Sequence, residues 1–195
     1  MKFSLLYFFI IVLRKPNKSC SHSIYLVWEY FFGVKFMLMV HKVNLKHLAT
    51  SLAISLGTGM LSGLLTMGGM KTFESINKPP LSPPGWLFPI VWTILFILMG
   101  VSAYLIYEEN PRVLSAGLVL YAVQLALNFI WPLLFFNAGM YLLAFVELVA
   151  LWVFIILMIM EFAKVNRCAA WLQVPYLLWV TFALYLNLGI YMLNA

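Results

Sequence analysis

Five residues of one apolar stretch, Tyr121, Gln124, Asn128, Trp131 and Phe135, recur at spacings of 3, 4, 3 and 4. That spacing is a single stripe on a helix. An amide pair one turn apart, flanked by aromatic rings, suits a pocket that orients a flat ligand bearing carbonyl or carboxylate groups. It equally suits two polar side chains that join neighbouring helices, at about 1–2 kcal/mol per bond or less. A second stripe, Tyr176, Trp179, Ala183 and Asn187, runs at spacings of 3, 4 and 4. Small Ala183 in its middle leaves room for a ligand or for a neighbouring helix. Trp92 and Phe96 share a third face. Glu147 stands inside another apolar run, where a carboxyl is expensive and therefore a candidate for function or for a buried hydrogen bond. His41 and His47 could ligate haem iron or simply sit at a membrane interface. No HExxH, CxxC, GxSxG or P-loop pattern is present and no Asp occurs anywhere, so hydrolase or NTPase chemistry has no support.

The elements that must carry these residues are membrane spans. The chain has 195 residues, of which 65% are apolar and only 9% charged, and its mean hydropathy is +1.00. A soluble domain carries about 25% charged residues. Five long apolar segments, about 48–67, 86–107, 113–136, 140–160 and 169–193, each reach the roughly 20 residues that a bilayer requires. Lipid offers backbone groups no partner, so the predicted fold is an all-α integral membrane bundle of five transmembrane helices. The net charge of +6 is concentrated early: Lys2, Arg14, Lys15, Lys18 and Lys35 all precede Met37. No basic patch remains for a nucleic acid.

Residues 1–36 differ from the rest. Their apolar run, Phe3 to Leu13, is too short to span, and the basic cluster follows it rather than preceding it. The expectation is an N-terminal extension outside the working protein, with translation starting at Met37 or Met39 and a single domain over 37–195. Lys42, Lys46, Arg112, Lys164 and Arg167 fall on the side of Met37, against Lys71 and Lys78 on the other. Basic residues favour the cytoplasmic face, so the N-terminus is expected inside and the C-terminus outside.

Between the first two spans runs Lys78-Pro79-Pro80-Leu81-Ser82-Pro83-Pro84-Gly85-Trp86. Each proline fixes φ and lacks an N–H, which makes a semi-rigid spacer of polyproline type. It reads as a stiff connection or as a lid, and the polar stripes on the third and fifth segments favour the lid.

Three ordered blocks carry a resemblance. They are Lys78-Pro79…Pro83-Pro84-Gly85-Trp86…Pro89-Ile90-Val91-Trp92-Thr93, Gln124-Leu125-Ala126-Leu127-Asn128…Trp131-Pro132…Phe135-Phe136, and Pro175-Tyr176…Trp179…Phe182-Ala183…Leu186-Asn187. Over about residues 45–195 the chain resembles the TspO/MBR family, the tryptophan-rich sensory proteins and mitochondrial translocator proteins. The resemblance implies a five-helix bundle, usually a homodimer, whose first loop caps a cavity for protoporphyrin IX, haem or another flat hydrophobic ligand. It implies a pocket of Phe73, Pro83, Trp92, Phe96, Gln124, Asn128, Trp179, Ala183 and Leu186, with no resident metal. It places the chain in the plasma membrane of a bacterium. The function expected is a sensor or carrier of tetrapyrroles. The alternatives are a light- and oxygen-dependent porphyrin-degrading enzyme using Trp92 and Trp179, or a tetrapyrrole transporter. The chain departs from many relatives at Thr72-Phe73, where they have Trp-Tyr, and at Leu81, where they often have Trp. No basic residue follows Tyr185 or Tyr191, so cholesterol recognition is not carried over.

Overall fold

The computed structural model describes residues 43–69, 75–110 and 115–195. The proposed extension and start site, and with them Phe73, Lys42, Lys71 and Arg112, lie outside the described residues. Five helices long and apolar enough to cross a membrane are present, and no strand occurs among the described residues. The chain is an integral membrane protein of all-α class.

Helix α1 is Leu45–Thr66, extended by a tight turn at Met67–Gly69. It starts three residues before the expected position because the Asn44 side chain accepts from the His47 N–H and caps the first turn. Helix α2 is Leu87–Glu109. Helix α3 is Ala116–Pro132, continued by a wide π turn at Leu133–Asn137. Pro132 has no N–H to give the Asn128 carbonyl, and the helix adjusts just beyond it.

Helix α4 is Tyr141–Val165. The stretch from Glu161, which falls between the fourth and fifth expected segments, is helical up to Val165. Glu161 and Lys164 pair across one turn there, and Asn166 alone separates α4 from the next helix. The fifth span divides into α5, Arg167–Leu172, and α6, Val174–Asn194. Asn166 caps α5 by accepting from the Ala169 N–H at 3.0 Å. The division falls at Gln173, because Pro175 cannot donate to the preceding turn.

The helices close a ring in which α1 packs on α2 and α3, α3 on α4, α4 on α6, and α5 on α2. Close approach of α1 and α2 requires Gly100: a Cβ there would stand 2.6 Å from the Ser55 hydroxyl and 3.1 Å from the Leu52 Cα. Hydroxyls stitch the helices by bonding to carbonyls across the seams. Ser51 donates to Gly100 O at 2.7 Å, Ser62 to Phe129 O at 3.1 Å and Ser102 to Ala169 O at 2.7 Å. Small polar residues at helix crossings are how spans adhere when lipid removes the hydrophobic drive between them. The core is hydrocarbon from Leu95, Met99 and Ile106 on α2, Leu148, Leu151, Ile155 and Phe162 on α4, and Val180 and Ile190 on α6.

The two ends of the bundle differ. One end carries Lys46, Glu108, Glu109, Glu161, Lys164 and Arg167. His47 Nδ1 meets Glu108 Oε1 at 2.6 Å, and Asn166 donates to Glu109. The other end carries the proline loop, which is fastened to the last turns of α6. Asn77 N–H donates to the Asn194 side chain at 3.0 Å and Asn194 returns a bond to Asn77 O at 2.8 Å. Tyr185 donates to Pro80 O at 2.9 Å. Gly189 makes room for the Pro79 ring, which a Cβ would meet at 2.7 Å. Within the loop Ser82 donates to Pro79 O, and Leu81 takes a left-handed φ of 67° that leaves its side chain exposed.

Candidate functional site

Helix α3 turns Gln124 and Asn128 inward, as their stripe predicts, and both are buried. The side chain that meets them comes from α6. Tyr176 donates its hydroxyl hydrogen to Gln124 Oε1 at 2.8 Å, and the Tyr176 hydroxyl oxygen accepts from Asn128 Nδ2 at 2.6 Å. The remaining Gln124 amine makes only a long contact, 3.7 Å, to the Met99 sulfur. The amide pair thus holds one tyrosine from the facing helix. Tyr176 was visible as a member of the second stripe but not as the partner of the first. The two stripes lie 52 and 48 residues apart in sequence, and only the closing of the ring brings them together.

Aromatic rings surround this polar knot. Trp92 stands over it from α2, with its centroid 6.2 Å from Tyr176 and 5.8 Å from Phe96. Phe96 lies in turn against α1 at Gly59, where any side chain would collide with its ring. Trp92, Phe96, Gln124 and Asn128 therefore converge, with Tyr176 at their centre.

Trp179 is one turn further along α6, against Phe88 at 6.0 Å and Phe182 at 5.7 Å. Its indole N–H is buried without an acceptor. Ala183 is buried and belongs to the core cluster, and Leu186 is buried beside Asn187 on the same helix. Pro83 is half-buried in the loop. Asn187 is committed elsewhere: its oxygen accepts from Trp131 Nε1 at 3.1 Å, and its amine donates to Tyr141 O at 2.8 Å. Glu147 on α4 has both carboxyl oxygens buried without a hydrogen-bond partner, and it lies within electrostatic reach of Tyr176. His47 is engaged by Glu108 and by the edge of Tyr107, 5.1 Å away. No group of three or more His, Cys, Asp or Glu gathers to hold a metal among the described residues.

Trp179 also belongs to a groove of about 430 Å³ on the outer side of the bundle. The groove is lined by Val91, Ile94, Leu95 and Leu98 of α2 and by Pro175, Leu178, Trp179 and Phe182 of α6. All eight side chains are hydrocarbon apart from the indole nitrogen. No spacing or motif marks this groove, since it depends on how far two helices splay.

The order of proline loop, amide stripe and aromatic α6 is also a pattern shared with known proteins. The TspO/MBR family profile matches residues 49–193. The chain belongs to the TspO/MBR family. A tryptophan-rich protein TspO of Chlorobaculum tepidum is 44% identical over 126 residues, covering 63% of this chain and 78% of that protein. Another TspO, from Archaeoglobus fulgidus, is 34% identical over 154 residues, 78% of this chain and the whole of that protein. The translocator protein of sheep is 38% identical over 135 residues, covering 68% of this chain and 78% of its own length. Every described residue in the polar knot and its aromatic surround lies inside the matched TspO/MBR region. This membership supports a sensory or ligand-binding role in a membrane.

Proposed function

We propose that the chain is a membrane sensor or carrier that binds tetrapyrroles such as protoporphyrin IX or haem, as a ligand taken up between aromatic side chains. The observation that carries this reading is the convergence of Trp92, Phe96 and Tyr176, held by Gln124 and Asn128, beside Trp179 with its unpartnered N–H. Flat rings offer stacking surface to a flat ligand, and the amides fix Tyr176 so that the surface is ordered before the ligand arrives. The indole N–H of Trp179 is the donor that a carbonyl or carboxylate of the ligand could take. Pro83, Ala183 and Leu186 complete the proposed contact set.

The bilayer is the partner for the outer faces. Lys46, Lys164 and Arg167 gather at one end of the described bundle and Lys78 stands at the other, which supports a cytoplasmic N-terminus and an outward C-terminus in a bacterial plasma membrane. A homodimer is part of the same proposal. Helix α1 is the least covered span, and Gly57 and Gly63 on it face open space, a surface that a second copy could approach closely.

The test is a titration of purified protein with protoporphyrin IX in the dark, followed by tryptophan fluorescence and then by absorbance under illumination. Quenching at micromolar porphyrin, weakened at least tenfold in Trp92→Ala, is the expected result. No quenching at that concentration would remove tetrapyrroles as the ligand class. Light-driven loss of the porphyrin spectrum, abolished in Trp92→Phe and Trp179→Phe, would replace the sensor with an enzyme.

A further inference from the structure

We propose that the groove between α2 and α6 is the portal through which a hydrocarbon-dissolved ligand passes from the bilayer to the aromatic cluster, with Trp179 as its inner door. The inference rests on the ligand-binding reading above and adds the route to it.

The two ends of the bundle are fastened. At the loop end, residues 77, 79 and 80 are held to α6 by the reciprocal Asn77–Asn194 bonds, by Tyr185 and by the fit of Pro79 on Gly189. At the charged end, His47–Glu108 ties α1 to α2, and Asn166–Glu109 ties the start of α5 to α2. The lateral seams are tight between α1 and α2, α3 and α4, and α4 and α6, whereas α2 and α6 meet only sparsely.

The reason is local. Short α5 is clamped to α2 by the Ser102–Ala169 bond, and the helix axis breaks at Gln173 just before Pro175. Beyond that break α6 follows α4 and leaves α2. The groove begins where the clamp ends, with Pro175 as one of its lining residues.

Depth and chemistry identify the traveller. Leu98 is the middle residue of α2, and Val91 lies four residues beyond its first residue. At 1.5 Å per residue the α2 wall therefore runs from roughly 6 to 16 Å below the loop end of the helix. A hydrocarbon layer of about 30 Å covers that depth. Lipid head groups do not reach it, and molecules dissolved among the acyl chains do. The lining has no charge and no acceptor, so it favours a flat apolar face and resists a free anion.

Continuity with the site comes through one residue. Trp179 lines the groove, packs on Phe88 and Phe182, and stands one helical turn along α6 from Tyr176 of the cluster. Its unpartnered N–H holds it in no fixed hydrogen bond, so a change of rotamer costs it none.

The test separates rate from affinity. Ile94 and Leu178 are both more than half exposed at the groove mouth, and neither belongs to the proposed contact set. The double variant Ile94→Phe/Leu178→Phe narrows the mouth without touching the core. In vesicle-reconstituted protein, stopped-flow mixing with protoporphyrin IX should give association and dissociation rates that both fall about tenfold, with Kd within twofold. Ile94→Ala/Leu178→Ala should raise both rates. Locking the loop with a cross-linked Asn77→Cys/Asn194→Cys pair should leave both unchanged. Slowed exchange in the locked loop with normal exchange in the Phe variant would overturn the portal in favour of the loop end. A change in Kd with the association rate intact would make the groove a resting site and also overturn the portal. Failure of the unaltered protein to bind porphyrin at all would instead refute the ligand-binding reading, and the portal with it.

Discussion

Replacing Tyr176 with Phe removes one oxygen and keeps the ring that faces Trp92. That oxygen serves two partners, donating to Gln124 at 2.8 Å and accepting from Asn128 at 2.6 Å. Tyr176 and Gln124 are 0% exposed and Asn128 is 4% exposed, so no solvent replaces what is lost. Interhelical hydrogen bonds measured in a membrane average about 0.6 kcal/mol each, which puts the floor near 1.2 kcal/mol for two. An orphaned buried amide group costs about 1–3 kcal/mol where nothing can rearrange, and the Gln124 oxygen and Asn128 amine would both be orphaned. The expected destabilisation is about 2 kcal/mol, roughly a thirtyfold change in the folding equilibrium. Reversible unfolding in mixed micelles, read by helical circular dichroism, measures it. Adding Gln124→Leu and Asn128→Leu to Tyr176→Phe should recover part of the loss, because the orphaned groups leave with their partner. A change below about 0.5 kcal/mol for Tyr176→Phe, or no recovery in the triple variant, would refute the view that these amides exist to hold this tyrosine. Porphyrin binding supplies the contrary outcome. If the freed amides tighten binding, they are ligand contacts that Tyr176 occupies in the unliganded state.

Two further outcomes follow from close contacts. Gly100→Ala forces a methyl against Ser55 and the α1 backbone, and overpacking of this kind costs about 1–3 kcal/mol; thermal unfolding should register it, and Gly57→Ala, which meets open space, should change stability far less. Tyr185→Phe removes the bond to Pro80 O and should increase amide exchange and protease cleavage in the loop, with global stability altered by no more than about 1 kcal/mol.

Much of the fold was legible because lipid makes hydropathy and length decisive. Five spans, the break in polarity at each end, and the inward stripe of α3 follow directly from residue type and spacing. The inward faces of the helices were legible residue by residue, but the arrangement they make together was not. Gln124 and Asn128 were readable as inward amides, yet their commitment to Tyr176 depends on the register between α3 and α6, which no local pattern encodes. Asn187 was similarly readable as buried, while its bonds to Trp131 and to the Tyr141 carbonyl come from two other helices, α3 and α4. The divided fifth span had a local sign in Pro175, but whether a proline kinks a span or ends it depends on what holds the preceding turn, here the Ser102 clamp on α5. The charged stretch from Glu161 fell outside the fourth expected segment because hydropathy alone set that boundary. A short-range ion pair and good helix formers carry α4 through it.

The fastening of the loop to α6 has a practical side. Asn194 is the residue that grips Asn77, and Ala195 follows it immediately. An affinity tag, a fluorescent fusion or a partner domain joined directly after Asn194 would be attached beside the latch of the loop and would pull on it. A truncation before Asn194 deletes the latch itself. Preparations that differ only around the last turn of α6 should therefore differ in how firmly the loop is seated, and binding rates compared between them would report the handling of that turn as much as the chemistry of the interior.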